Sequence, residues 1–352
     1  MTFKEYSIQS RERIKNHLVS FMDEKRNENL PAIFKEQRLI DSLESFALRG
    51  KLIRGTLFLL MCEAFGTKIN RETLNIACAI EIMHSSLLIQ DDVIDNDLTR
   101  RGAKTIFAHY SDEGERIGAF DAYHYGISTA IVAADVAFFF AIELISSFNS
   151  PSLSALLKYY AHEVYLVSLA ESADSIFGQT SIEPAKEDIY AVYKYKTARY
   201  TFSLPFEMAA IVSGGKGGQQ KELGSLGELA GIIFQLKDDE IGLFGDEALI
   251  GKPVGSDIRE NKKTLIRALL YEHADESDRQ VLDTCFGNTK GGNDQTEIVR
   301  NIYKKYKIGN YIDKEIQQLM DRVWEMYNRL EIDAEYKSLV KELLEFNLSR
   351  SY

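Results

Sequence analysis

Apolar residues recur at three- and four-residue spacing along most of this 352-residue chain. The pattern holds over residues 71–96, 120–147, 151–177, 185–213, 221–245, 294–306, 310–330 and 333–348, and it predicts helices there. Alternating, strand-like runs are absent, and there is no internal repeat. Punctuation is sparse: Gly214–Gly218, Gly251–Gly255 and Gly287–Asn293 mark loops. No Pro-, Ser- or Gly-rich stretch suggests a linker. The expectation is one all-α domain over 1–352, with nearly apolar helices at the centre and amphipathic ones around them.

Composition narrows the picture. The apolar share, 45%, is ample for a large core. A net charge of −11 argues against nucleic acid as a partner. Cys62, Cys78 and Cys285 stand singly, without disulfide or zinc spacing, which fits a reducing compartment. The polar N-terminus, Met1 to Ile8, lacks a signal-peptide core. The most apolar stretch, Ile127 to Ile145, contains Asp135 and Glu143, so it reads as a buried helix and not a membrane span. A soluble, cytoplasmic protein is expected.

Two acidic clusters interrupt the apolar helices. Asp91, Asp92, Asp95 and Asp97 follow the run Ile80–Ile89, and Asp238 and Asp239 follow Ala230–Lys237. A carboxylate on the core side of a helix is costly unless a cation meets it. Asp91 and Asp95 are four residues apart and project from one helix face; Asp92 points about 100° away. Two such clusters facing one cavity would cage hard divalent cations, and Mg²⁺ holding a diphosphate is the simplest reason to build one. Arg100 and Arg101 close the first cluster. Near the second stand Lys237, Lys252, Lys262 and Lys263, with Lys196, Thr197 and Arg199 upstream. Singly, most of these are ordinary solvated lysines; jointly they suit a bound diphosphate.

These stretches together resemble the trans-isoprenyl diphosphate synthases, the polyprenyl synthetase family. The resemblance runs from about Gly50 to Thr264 through Lys51 and Arg54, the first aspartate cluster with Arg100, Arg101 and Gly102, then Gly178 and Gln179, Lys196 and Thr197, Phe234 to Asp239, and Lys252 to Lys262. The form of Gly245 to Glu260 is most similar to archaeal geranylgeranyl diphosphate synthases. The resemblance implies an isoprenoid synthase-type bundle of antiparallel helices around a deep cavity, usually a homodimer. It implies that Asp91, Asp92, Asp95, Asp238 and Asp239 hold Mg²⁺, three ions per site, bridging an allylic diphosphate. Arg100, Lys196 and Lys252 would contact that diphosphate, and Lys51, Arg54, His84 and Arg101 would bind isopentenyl diphosphate. Thr197, Gln235 and Lys262 would line the reacting centre or the phosphates. His84 read alone is a packed core histidine, and only the resemblance raises the ligand role to stand beside that reading.

Three departures from the family pattern stand out. Gly242 replaces the third Asp of the second motif, Arg49–Gly50 replaces a double glycine, and Gly55 replaces a proline. Product length is expected to be read along the helix preceding Asp91. Leu87, Ser86 and Met83 lie four, five and eight residues before it, on or near the same face. The family stops short products with an aromatic at the fourth or fifth position, and neither residue is aromatic here. The floor is then expected at Met83 or on Phe138–Phe140, a run that could equally be ordinary core. The expected activity is condensation of isopentenyl diphosphate with an allylic diphosphate to an all-trans product of C20 or longer. A class I terpene cyclase and a regulatory subunit of a heteromeric synthase are the alternatives. The first would lack Lys51, Arg54 and Arg101, the second the aspartates.

Overall fold

The computed structural model describes residues 1–36, 38–215, 217–245, 254–288 and 292–349. They form two compact units, 1–158 with 208–215, and 159–207 with 216–352.

In the first unit, helix α1 (Phe3–Arg26) opens on a reciprocal cap between Thr2 and Glu5. Its buried face, Tyr6, Ser10, Ile14, Leu18, Phe21 and Met22, is diluted by charged neighbours, and no helix was expected there. Helices α2 (Ala32–Glu36) and α3 (Leu39–Leu48) lead to α4 (Ile53–Ala64). Leu57 to Cys62 are all fully buried, so α4 is apolar on every side and shows no stripe. Helix α5 (Arg71–Ile94) starts at an Asn70 cap and packs on α4. It also packs on α7 (Ala122–Ser146), whose buried Ala130, Ala133, Ala134, Ala137 and Ala141 permit close approach. Helix α6 (Ile106–Ile117) packs on α7 as well.

Two expectations change here. Residues Thr99–Arg100 (β1) and Ala103–Lys104 (β2) pair as a minimal antiparallel ribbon, too short for any alternation to announce it. Helix α7 is long and apolar enough to cross a membrane, but it is not buried on all sides. Ile131, Val132 and Phe139 are exposed, while the alanine face meets its neighbours.

The periodic stretch 185–213, which belongs to the second unit up to Glu207 and to the first from Met208, is not one uniform helix. It divides into α9 (Lys186–Val192), a π-helix (Tyr193–Ser203) and α10 (Leu204–Val212). Helix α8 (Leu153–Gln179) precedes them and α11 (Gly217–Phe244) follows. A Cβ at Gly231 would stand 2.4 Å from Ala198 Cα, and one at Gly227 would stand 2.7 Å from Ser203 N. Glycine at those two positions lets α11 lie directly on the π-helix. Short helices α12 (Ser256–Arg259), α13 (Leu265–His273) and α14 (Glu276–Cys285) come next. Then come α15 (Asn293–Lys305), α16 (Ile308–Arg329) and α17 (Ala334–Ser349). Helices α16 and α17 pack on α11, and Asn347 donates to the Ala230 carbonyl at 2.8 Å.

Candidate active site

In the first unit, the C-terminal end of α5 carries the first aspartate cluster. The turn beyond it is anchored on three sides. Asp97 N–H donates to the Asp92 carbonyl at 2.9 Å, Thr105 Oγ1 to the Asp97 carbonyl at 2.8 Å, and Tyr123 to Asn96 Oδ1 at 2.8 Å. The ribbon then turns the chain back through Arg101 (φ 55) and Gly102 (φ 71), consecutive left-handed residues of a primed hairpin turn. That geometry returns Arg100 to the aspartates. Its guanidinium donates to Asp92, to Asp91 at 2.9 Å and to Asp97 at 3.2 Å. Arg100 is thus the cluster's counter-ion.

Negative charge remains in excess around it. Burial pushes the Asp92 carboxyl up to about 7 although Arg100 pulls the other way, and buried Asp92 Oδ2 has no hydrogen-bond partner among the described residues. A buried, unsatisfied carboxylate oxygen next to Asp91 and Asp95 fits a hard divalent cation. Among the described residues, no three His, Cys, Asp or Glu side chains converge to hold a metal by themselves. Mg²⁺ is characteristically held by one or two carboxylates together with substrate phosphates.

Beside the cluster lies a cationic set. A Cβ at Gly50 would stand 2.9 Å from Arg101 Nη1, so Arg101 reaches back to the loop carrying Lys51. The retained glycine of the expected pair is the one Arg101 needs. Burial, with Arg54, Arg101 and Arg100 nearby, holds the His84 imidazole well below its ordinary value. His84 is therefore neutral at pH 7 and is gathered with those arginines. Arg49, in the other glycine's place, projects over Phe46.

In the second unit, the two aspartates of α11 part company. Asp238 is exposed, whereas Asp239 is buried. Tyr193 donates to Asp239 Oδ2 and Gln235 Nε2 donates to Oδ1 at 2.7 Å. Tyr193 also accepts from Leu265 N–H at 2.8 Å. Burial, reinforced by Asp257, lifts the Asp239 carboxyl well above its ordinary value. Asp239 is thereby tied to the π-helix, and Gln235 is engaged with it. Lys196, on the π-helix, pairs with Asp174 at 2.6 Å and Glu171 at 3.0 Å, both on α8. Thr197, next to it, is half-buried. Wide π turns recur at functional sites because they re-aim side chains. Lys262 pairs with Glu260 at 2.9 Å. Lys252 lies outside the described residues.

The position of the missing third aspartate is informative. A Cβ at Gly242 would stand 3.2 Å from Asp257 Oδ2, so a carboxylate from α12 occupies the neighbourhood that a longer side chain at 242 would have filled. The absence of the third Asp was the signal that could have pointed to it. Sequence reasoning also passed over Tyr193, Glu171 and Asp174, which bear no motif.

The residues expected to set product length differ in their surroundings. Met83 is buried and Leu87 half-buried on α5. Ser86 does not face open space: it is buried, and its hydroxyl donates to the Ala134 carbonyl of α7 at 2.8 Å. In the phenylalanine run, Phe139 is exposed and Phe140 packs edge-on to Phe21 of α1, with centroids 5.3 Å apart.

The family model for polyprenyl synthetase matches residues 36–306. A geranylgeranyl diphosphate synthase of Sulfolobus acidocaldarius is 26% identical over 316 residues, 88% of this chain and 89% of its own length. A short chain isoprenyl diphosphate synthase of Methanothermobacter thermautotrophicus is 28% identical over 333 residues, 94% and 95% of the two chains. The crystal structure of a geranylgeranyl pyrophosphate synthase from Corynebacterium glutamicum, complexed with isoprenyl diphosphate and magnesium, matches with a TM-score of 0.89. It is 24% identical and covers 100% of both chains. That structural likeness carries the all-α isoprenoid synthase fold.

Proposed function

Because this chain belongs to the polyprenyl synthetase family, the trans-prenyltransferases, we propose that it condenses isopentenyl diphosphate with allylic diphosphates. The product is an all-trans polyprenyl diphosphate of C20 or somewhat longer, and the reaction depends on Mg²⁺. The observation that carries this reading is the cationic set of the first unit. Arg101 lies against Gly50 next to Lys51, and the charges of Arg54 and Arg101 act, with burial, to hold the His84 imidazole well below its ordinary value. A cyclase binding a single diphosphate has no use for such a set beside its aspartates, and a regulatory subunit has no use for the aspartates.

In this reading Asp91, Asp92 and Asp95 of the first unit, and Asp238 and Asp239 of the second, would serve as Mg²⁺ ligands, and Asp239 also ties α11 to the π-helix through Tyr193. When bound, Mg²⁺ supplies positive charge against the allylic diphosphate. Lys196 leaves Glu171 and Asp174 to neutralise charge on the departing diphosphate, helped by Lys252 and Arg100. Thr197, Gln235 and Lys262 flank the reacting groups. Lys51, Arg54, His84 and Arg101 hold the second diphosphate so that the double bond of isopentenyl diphosphate meets the allylic carbon. The proton lost on condensation passes to the departing diphosphate. The apolar length of α5 keeps water from the allylic cation.

We read the two units as one synthase domain working in the cytoplasm, where the free, buried cysteines stay reduced. The exposed Ile131, Val132 and Phe139 on α7 support a homodimer covering that face. The test is incubation of purified protein with labelled isopentenyl diphosphate and C5, C10 or C15 allylic diphosphates, followed by sizing of the dephosphorylated products. EDTA should abolish turnover and added Mg²⁺ restore it; full turnover without divalent metal would overturn the reading.

A further inference from the structure

Helix α4 begins without a cap of its own. Leu52, at its N-cap, has φ 50 and makes no side-chain capping bond, yet the first-turn N–H groups need acceptors. They find one on another helix. Gly55 N–H donates to Glu81 Oε1 at 2.6 Å, and Arg54 N–H donates to the same carboxylate. Glu81, on α5, is only 2% exposed. A buried acid here would be costly on its own. Burial pushes its carboxyl above the ordinary value, while two backbone donors, the positive end of α4 and the charges of Arg54 and Arg101 pull the other way.

The departure at Gly55 belongs to this arrangement. Proline, which the family pattern has there, carries no N–H to give. A Cβ at Gly55 would stand 3.0 Å from the Ala77 carbonyl oxygen and 3.2 Å from Glu81 Cγ, so glycine also lets α4 come this close to α5. Glu81 precedes His84 by three residues and shares its side of the helix. One carboxylate thus touches the turn following Lys51, the backbone of Arg54, and the field that holds Arg54 and Arg101.

We propose that Glu81 is a positioning residue for isopentenyl diphosphate, acting through Lys51, Arg54 and Arg101; this rests on the assignment of those residues above. Glu81→Gln keeps the size and removes the charge and one acceptor. The variant should raise KM for isopentenyl diphosphate about tenfold or more, with KM for the allylic diphosphate changed by less than about twofold and the circular dichroism spectrum retained. A folded variant with unchanged KM for isopentenyl diphosphate overturns the proposal. So does an equal rise in both KM values, or a fall in kcat alone, since a general loss of structure would produce either.

Arg101→Ala is measured alongside. If it leaves KM for isopentenyl diphosphate unchanged, the site assignment itself fails. If it raises that KM while Glu81→Gln does not, the role of Glu81 fails alone. Should Glu81→Gln not fold, Glu81→Asp keeps the charge, shortens the reach by a methylene, and is judged by the same criteria.

Discussion

Asp238 and Asp239 are neighbours in sequence with opposite surroundings, one exposed and one held by Tyr193 and Gln235. Their replacement should therefore fail in different ways. Asp238→Ala is expected to lower kcat about 10²–10³-fold with the melting temperature retained. Asp239→Ala strands the buried Tyr193 hydroxyl and the half-buried Gln235 amide and should cost about 1–3 kcal/mol of stability, read by thermal unfolding. The reverse pattern would exchange the roles of the two residues. Lysines separate likewise by site. Lys51→Ala should raise KM for isopentenyl diphosphate, whereas Lys196→Ala should lower kcat with that KM nearly unchanged. Steady-state kinetics with each substrate varied in turn distinguishes the two. The aspartates and lysines were legible as candidates from residue type and spacing. Which aspartate meets solvent was not, because the pair sits in the mixed run Gln235 to Glu240, where no apolar stripe marks an inside.

At the scale of elements, close backbone approach does much of the positioning. Gly231→Ala would drive a methyl into the Ala198 backbone. It should destabilise the protein by about 1–3 kcal/mol and lower kcat through the displaced Lys196 and Thr197, as calorimetry and a turnover assay would show. Helix α5 carries a second such contact. Ser86 is seated on the Ala134 carbonyl, so Ser86→Phe would pry α5 from α7 and cost stability more than it shortens product. Leu87, half-buried one turn before Asp91, is the position where an aromatic should stop chain growth. Leu87→Phe is expected to shift products toward C15 with condensation intact, and product sizing checks it. An unchanged distribution would place the growing chain on another face of α5. Periodicity located α5 and α7 well. It could not choose the face, since a helix that is apolar nearly all round has no preferred side until a partner defines one.

At the scale of the whole molecule, an apolar face is left on α7. Ile131, Val132 and Phe139 are each more than half exposed, a patch that a second copy would cover. Ile131→Glu with Phe139→Glu should shift sedimentation from dimer to monomer; an unchanged sedimentation coefficient would place the interface elsewhere. Sequence alone determined the all-α class, most of the long helices, both acidic clusters and the family that their spacing signals. These follow from local rules, because a helix repeats every 3.6 residues and a motif is a run of neighbours. It missed α1, whose apolar face is thinned by charge, and the two-residue ribbon, which has no period to detect. Only tertiary structure decided that Arg100 folds back on its own aspartates, that Asp257 stands beside Gly242, and that Glu81 caps a helix 26 residues upstream. Those pairings join residues whose separation along the chain carries no signal. They exist because packed helices and buried charges must satisfy each other's polar groups in space.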